Sequence, residues 1–168
     1  IAGAIAMART GAETANADQG ASRWYRALGT FLGREDRLPD AIAAFEAGLA
    51  AAERVGEPTS MAVAHNDLAE YHLRTGDNQA AAHHQLETLE VAAEIGSLVL
   101  AGFSCLVAAR LAADGDEWAG ATYLQAAADR LLEASGHRLD DRISEAAARV
   151  RTDAETHLGD AYAAAVDR

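Results

Sequence analysis

The sequence contains no lysine, few aromatic residues and little proline, and these deficits argue against several classes of protein. Aromatic residues make up 5% of the 168 residues, and proline occurs twice. Because strands favour aromatic and β-branched side chains, the composition argues against a mostly β protein. The single cysteine, Cys105, has no partner for an internal disulfide, so we expect a cytoplasmic protein. The sequence contains no apolar run long enough to predict a membrane-spanning helix.

Alanine and acidic residues are abundant instead. Alanine occurs 43 times, which favours an all-α fold because alanine is the best helix former. All 14 basic residues are arginines, against 26 acidic residues, and the net charge at pH 7 is −12. A charge of this sign argues against direct binding to nucleic acid or to an anionic membrane. The chain opens on Ile1 rather than Met, and we expect it to be a segment of a longer protein.

Glycine spacing indicates an internal repeat of 40 residues. Gly56, Gly96 and Gly136 follow similar segments at this interval, and Asn16 continues the register. Glycine and asparagine accept the left-handed conformation just past a helix C-terminus, so helices are predicted to end at these points. Each repeat also has a short, polar, glycine-containing break near its middle. These breaks cover residues 33–40, 74–79 and 113–118.

Apolar residues between the breaks recur at helical spacing. Leu28 and Leu32 share one helical face, and Leu86 and Leu89 are expected to share the apolar face of a later helix. The pattern predicts eight helices followed by a short one at about 159–167. The eight cover roughly residues 1–15, 18–33, 38–55, 58–75, 78–95, 97–113, 117–135 and 140–158.

We interpret the chain as a single helical-repeat domain over residues 1–168. The first helix, 1–15, is half of a hairpin that lacks its mate. Three repeats and a pair of C-terminal capping helices follow it. The repeats cover about 17–56, 57–96 and 97–136, and the capping helices cover 140–167.

The residue pattern of these hairpins resembles the tetratricopeptide repeat. The first unit matches its positions at Tyr25, Leu28, Gly29, Leu32, Ala41, Phe45 and Gly48. The second unit matches at His65, Leu68, Ala69, His72, Gly76, Ala81 and Thr88. Gln85 and Gln125 stand where the pattern has an aromatic residue in the second helix. The resemblance implies an all-α fold, with antiparallel helical hairpins wound into a right-handed superhelix.

The C-terminal part resembles a narrower group of proteins. Residues 109–139 contain a Gly-Asp turn and a tryptophan before an alanine-rich helix, and 140–168 end on Leu-Gly followed by an aromatic residue and alanines. Both runs are similar to the C-terminal sensor region of large bacterial ATP-binding transcription regulators of the LuxR and SARP types. The resemblance implies a parent protein with an ATPase domain and an output domain elsewhere.

No catalytic or cofactor motif is readable. A GxxxxGK[ST] phosphate loop needs lysine, and neither GxGxxG nor GxSxG occurs, so we predict no enzyme activity, no catalytic residue and no cofactor. Hairpin closure is expected to bring His72 near His84, in a cluster with His65 and His83. Because this spacing lacks a metal-ligand pattern, we predict no metal site and interpret His65 and His72 as core residues.

The first helix of each hairpin is expected to line the concave face of such an array. The resemblance places eight residues of interest on that face. They are Arg23, Arg26, Arg34, Asn66, Glu70, Arg74, Phe103 and Arg110. Since acidic residues concentrate on the second helices, we expect a locally basic groove that accepts an acidic peptide or protein partner. The opposing interpretation is that these arginines balance nearby acids.

These observations predict a protein–protein interaction and ligand-sensing module of a larger bacterial signalling or transcription regulator. Two alternatives stay open. Helix 1–15 lacks its mate, so its outer face favours self-association into a homodimer. The other alternative is a small-molecule or metal-binding helical domain. We expect no direct contact with nucleic acid or with a membrane.

Overall fold

The computed structural model describes residues 2–15, 20–139 and 141–167. Over these residues the chain forms helices and turns without a strand, which confirms the all-α prediction. Eight long helices of this part follow one another through short connections. They are α1 (Ala2–Thr14), α2 (Ala21–Arg34), α3 (Leu38–Val55), α4 (Pro58–Thr75), α5 (Asn78–Ile95), α6 (Leu98–Asp114), α7 (Trp118–Ser135) and α8 (Asp141–Leu158).

The predicted helix bounds agree with the structure within one residue, with two exceptions. Helix α2 begins at Ala21 rather than at 18. The predicted helix over 159–167 is a 3-10 turn, Gly159–Ala161, followed by the short helix α9, Tyr162–Val166. The proposed helix end at Asn16 lies outside the described residues.

Left-handed glycines end four of the helices. The φ angles are 70° at Gly56, 80° at Gly76, 66° at Gly96 and 69° at Gly136, so the predicted repeat register is confirmed at three equivalent glycines. At the first of them, the N–H groups of residues 56 and 57 both donate to the carbonyl of Ala52, which satisfies a carbonyl at the end of α3.

The first and third hairpin turns differ from the second. Gly76 and Asp77 alone separate α4 from α5, whereas three residues separate α2 from α3 and α6 from α7. The middle residue of each longer turn is an aspartate in the left-handed region, with φ of 58° at Asp36 and 61° at Asp116. Aspartate is one of the few non-glycine residues that visit this region readily.

The chain divides into two compact units, residues 1–91 and 92–168. The first contains α1 to α4 and most of α5. The second contains the last turn of α5 and helices α6 to α9. A single domain over 1–168 stays a prediction.

The core of the first unit is built on a close approach between α2 and α3. Phe45 is buried, and its ring centroid lies 4.8 Å from that of Tyr71 on α4. A Cβ added at Gly29 would lie 2.7 Å from the Phe45 ring, so only glycine lets the helices approach this closely. Five alanines of the later helices are fully buried. These are Ala69 and Ala81 in the first unit, and Ala109, Ala121 and Ala128 in the second.

The apolar face predicted for α5 is wrong at Leu86, whose exposure is 62%. The buried stripe of α5 instead contains Ala81, Gln85, Thr88 and Ala92, at the spacing of one helical face. Because Gln85 and Thr88 are polar, a hydrophobicity pattern does not identify this stripe as the buried face.

Candidate interaction groove

A cavity of about 200 Å³ lies between α2, α3 and α4 in the first unit. Phe45 and Gly48 of α3 contribute to its wall, and Val63 and Ala64 of α4 add further apolar surface. Polar side chains complete the lining. They are Ser22, Arg23 and Arg26 from α2, Thr59 and Ser60 from α4, and Glu57 just before α4. The lining thus combines an apolar part with groups of both charges.

Arg26, which lines this cavity, connects α2 to α4. Its Nε donates to Oδ2 of Asp67 on α4 at 2.6 Å. The arginine side chain is 57% exposed and the aspartate side chain only 17%. Burial raises the pKa of Asp67, and the nearby Arg26 guanidinium counteracts part of that rise. Arg26 therefore already holds an internal carboxylate.

Arg23 and Arg34 are the available cations of α2. Both are exposed, and no ion pair within the described ranges involves either of them. They are 11 residues apart, which is close to three helical turns, so they share a face about 16 Å apart along the axis. This face can offer two guanidinium groups to an anion from outside.

Arg74 makes internal contacts, and its predicted groove role stays a prediction. One of its terminal nitrogens donates to the Gly33 carbonyl at 3.3 Å and lies 3.6 Å from the Asp36 carboxylate. Its guanidinium also lies 4.7 Å from the centroid of the Tyr71 ring. The opposing interpretation of the arginines, charge balance by nearby acids, therefore describes Arg74 and Arg26 better than Arg23 and Arg34.

The other predicted groove residues lie on α4 and α6. Asn66 and Glu70 are partly buried on α4, and the Asn66 side-chain oxygen is buried without a hydrogen-bond partner. Phe103 and Arg110 are partly buried on α6 in the second unit, where the Phe103 ring lies edge-on to His137 at 5.2 Å. A groove role for these four residues stays a prediction.

Asp67, Glu57 and Ser60 were not predicted from the sequence. The Ser60 hydroxyl donates to a Glu57 carboxylate oxygen at 2.8 Å beside the cavity. Position 66 lies one 40-residue repeat after Arg26, and Asp67 is the next residue. The repeat could therefore have pointed to Asp67. Nothing in the sequence marks Glu57 and Ser60 beyond their place at the start of α4.

The histidines gather between α4 and α5, as the sequence predicts. The Nδ1 atoms of His65 and His84 are 2.9 Å apart, and the rings of His72 and His84 stack at 5.5 Å. Over the described residues, no group of three or more His, Cys, Asp or Glu side chains is arranged to hold a metal ion. His84 thus contacts the rings of both His65 and His72.

Comparison with known proteins supports the repeat assignment for part of the chain. The family model of the tetratricopeptide repeat matches residues 20–94, a span that includes α2, α3 and α4. This region is tetratricopeptide-like. The search of curated proteins finds no match. Within the described residues, no helix has the length and apolar character needed to cross a membrane. The resemblance of residues 109–168 to the regulators stays a prediction.

Proposed function

We propose that the chain is a protein–protein interaction module, and that the α2–α4 face around the cavity receives an acidic segment of the partner. Tetratricopeptide repeats generally mediate protein–protein interaction, and the matched span contains this face. The observation that carries the proposal is the exposure of Arg23 and Arg34 on one face of α2, where no ion pair among the described residues involves either arginine. Arginine binds carboxylates through two parallel hydrogen bonds and is weakly hydrated, so it suits this task.

The spacing of the two arginines specifies the partner further. An extended peptide rises about 3.3 Å per residue, so acidic residues about five positions apart span the ~16 Å between Arg23 and Arg34. Beside Arg23, the partly exposed Val63 gives the cavity an apolar wall that suits an apolar side chain of the same peptide. The expected ligand is thus an extended acidic segment with an apolar anchor near one carboxylate.

The module acts without catalysis in a larger bacterial signalling or transcription regulator of the cytoplasm. The support is the resemblance of residues 109–168 to the sensor region of such regulators. Partner or ligand binding then favours one arrangement of the parent's domains over another. The full coding sequence tests this context. An ATPase domain and an output domain in the same reading frame support it, and a chain without them contradicts it.

Peptide selection tests the groove. A random 12-residue library is displayed against the immobilised chain, and enriched peptides are titrated by calorimetry into wild type, Arg23→Ala and Arg34→Ala. We expect enrichment of two acidic positions about five apart and at least tenfold weaker binding to each variant, about 1.4 kcal/mol per tenfold. Arg130→Ala on α7 is the matched control, since this arginine is also exposed. Binding that does not depend on Arg23 or Arg34 contradicts the proposal.

Self-association is the alternative favoured by α1, where Met7 exposes 61% of its surface. Light scattering at the concentrations of the titration shows whether the chain binds a second copy of itself or stays a monomer that binds acidic peptide. A monomer that binds acidic peptide supports the groove. A dimer that Met7→Glu dissociates, without acidic peptide binding, supports self-association instead.

A further inference from the structure

His65 and His84 make a contact that depends on their protonation. Their Nδ1 atoms are 2.9 Å apart, which is hydrogen-bond distance. A neutral imidazole has one N–H donor and one acceptor nitrogen, so one ring donates to the other. When both rings are protonated, the two Nδ1 atoms are both donors and both rings are cationic. The contact therefore requires that at least one ring is neutral.

The pair lies inside the second hairpin. His65 is on α4 with 9% exposure, and His84 is partly buried on α5. One turn further along α5, the buried Thr88 donates to the His84 carbonyl at 3.0 Å and lies 3.5 Å from the Ala62 carbonyl. A change of charge at the pair thus acts on the α4–α5 contact itself.

The charged neighbours of His65 come from α3 and α5. Glu53 and Glu87 favour its protonated form, and His83 opposes it. Burial outweighs the two glutamates, so the pKa of His65 is lowered from its ordinary value.

The titratable neighbours of His84 are histidines. Burial is the largest cause of its low pKa of about 4, and His65, His72 and His83 lower it further in their charged forms. His72 itself faces Asp77 in the turn, with Nδ1 3.8 Å from a carboxylate oxygen.

We propose that the His65–His84 contact is a proton-sensitive latch between α4 and α5, stable at neutral pH and weakened by mild acid. An unfolded histidine titrates near 6.5, whereas the folded His84 titrates near 4. Between these values the unfolded chain binds more protons than the folded chain. The contribution to stability is complete above about pH 6.5 and is lost as the pH falls toward 4.

Hydrogen exchange in α4 and α5, corrected for intrinsic rates, measures the opening of the latch at pH 7.5 and pH 5.0. We expect the opening equilibrium constant of wild type to rise about tenfold to thirtyfold in acid. His84→Asn retains a polar group near the Nδ1 position but does not titrate, so its rise should be at most about threefold. His137→Asn, at an exposed histidine of the second unit, should behave as wild type.

Histidine proton spectra of wild type give a second measurement that does not need a variant to fold. A folded His84 ring that titrates below pH 5 supports the latch, and one that titrates near 6.5 overturns it. Equal acid sensitivity of exchange in wild type and a folded His84→Asn also overturns it. Neither measurement depends on the proposed groove, so the two proposals can fail separately.

Discussion

Arg26 on α2 and Asp67 on α4 are 41 residues apart and are joined by a hydrogen-bonded ion pair of 2.6 Å. The same separation recurs at Gly33 and Arg74, where the arginine donates to the carbonyl. Seven residues, or about two helical turns, separate the two contacts on each helix. Both contacts therefore hold α4 against α2 in one register, displaced by a residue from the 40-residue repeat.

Loss of the Arg26 charge should raise the pKa of Asp67 further above its ordinary value. In Arg26→Gln the burial of the carboxyl group is no longer counteracted by the guanidinium. The folded state then keeps its extra proton to a higher pH, so stability declines as the pH rises through the pKa of Asp67. Carboxyl carbon titration by NMR in both proteins measures the pKa. Identical Asp67 titrations would show that the pair does not control this carboxylate.

Arg74→Ala should destabilise the fold, whereas Arg23→Ala should not. The first substitution removes a charged hydrogen bond, worth about 1.5–3 kcal/mol, and a cation–π contact of about 0.5–2 kcal/mol. Because these terms are not additive, we expect a loss of about 1–3 kcal/mol for Arg74→Ala. Exposed Arg23 should change stability by less than about 0.5 kcal/mol. Urea unfolding measures both, and similar losses for the two variants would contradict the division into internal and external arginines.

Gly29→Ala should destabilise the first unit by about 1–3 kcal/mol, the usual cost of overpacking. The new methyl group would lie 2.7 Å from the Phe45 ring, so the ring or α2 must move. Gly120→Ala is the control, because a Cβ at this helical glycine meets nothing within 4 Å. We expect the control to gain about 0.5–1 kcal/mol from helix propensity. If both variants were more stable than wild type in urea unfolding, the close approach of α2 and α3 would be refuted.

Substitutions at the left-handed turn residues Gly76 and Asp116 should have opposite effects on stability. Gly76→Ala places a Cβ at φ 80° and should cost about 1–2 kcal/mol. Asp116→Gly removes a Cβ at φ 61° and should be neutral or stabilise by about 0.5 kcal/mol. Thermal unfolding of the two variants against wild type checks the signs. A destabilised Asp116→Gly would mean that the aspartate side chain contributes more than its backbone strain costs.

The sequence predicted the helices well because their ends and contact points have local signals. Gly56 and Gly136 mark helix ends through a conformation that few other residues accept. Ala69 and Ala81 mark close helix contacts because larger side chains would not fit, and both are fully buried. Such signals depend on one residue and its immediate neighbours, so they can be read without tertiary structure.

The candidate groove was harder to predict because it depends on how α2 and α4 are rotated against each other. One residue corresponds to about 100° around a helix, so a displacement of one residue changes the face. Asn66 was predicted as a groove residue, which stays a prediction, and its neighbour Asp67, which was not predicted, makes the contact with Arg26. Gln85 is polar but buried, so hydrophobicity alone did not identify the inner face of α5.

A charge-swap titration tests the groove most directly. An enriched acidic peptide is titrated by calorimetry into wild type, Arg23→Glu and the control Arg130→Glu. A second peptide, in which the acidic residue expected to bind Arg23 is changed to arginine, is titrated into the same three proteins. Recognition of the carboxylate by Arg23 predicts at least tenfold weaker binding to Arg23→Glu, unchanged binding to the control, and recovery with the swapped peptide. Equal affinity for wild type and Arg23→Glu, or no recovery, would contradict the groove as the binding site.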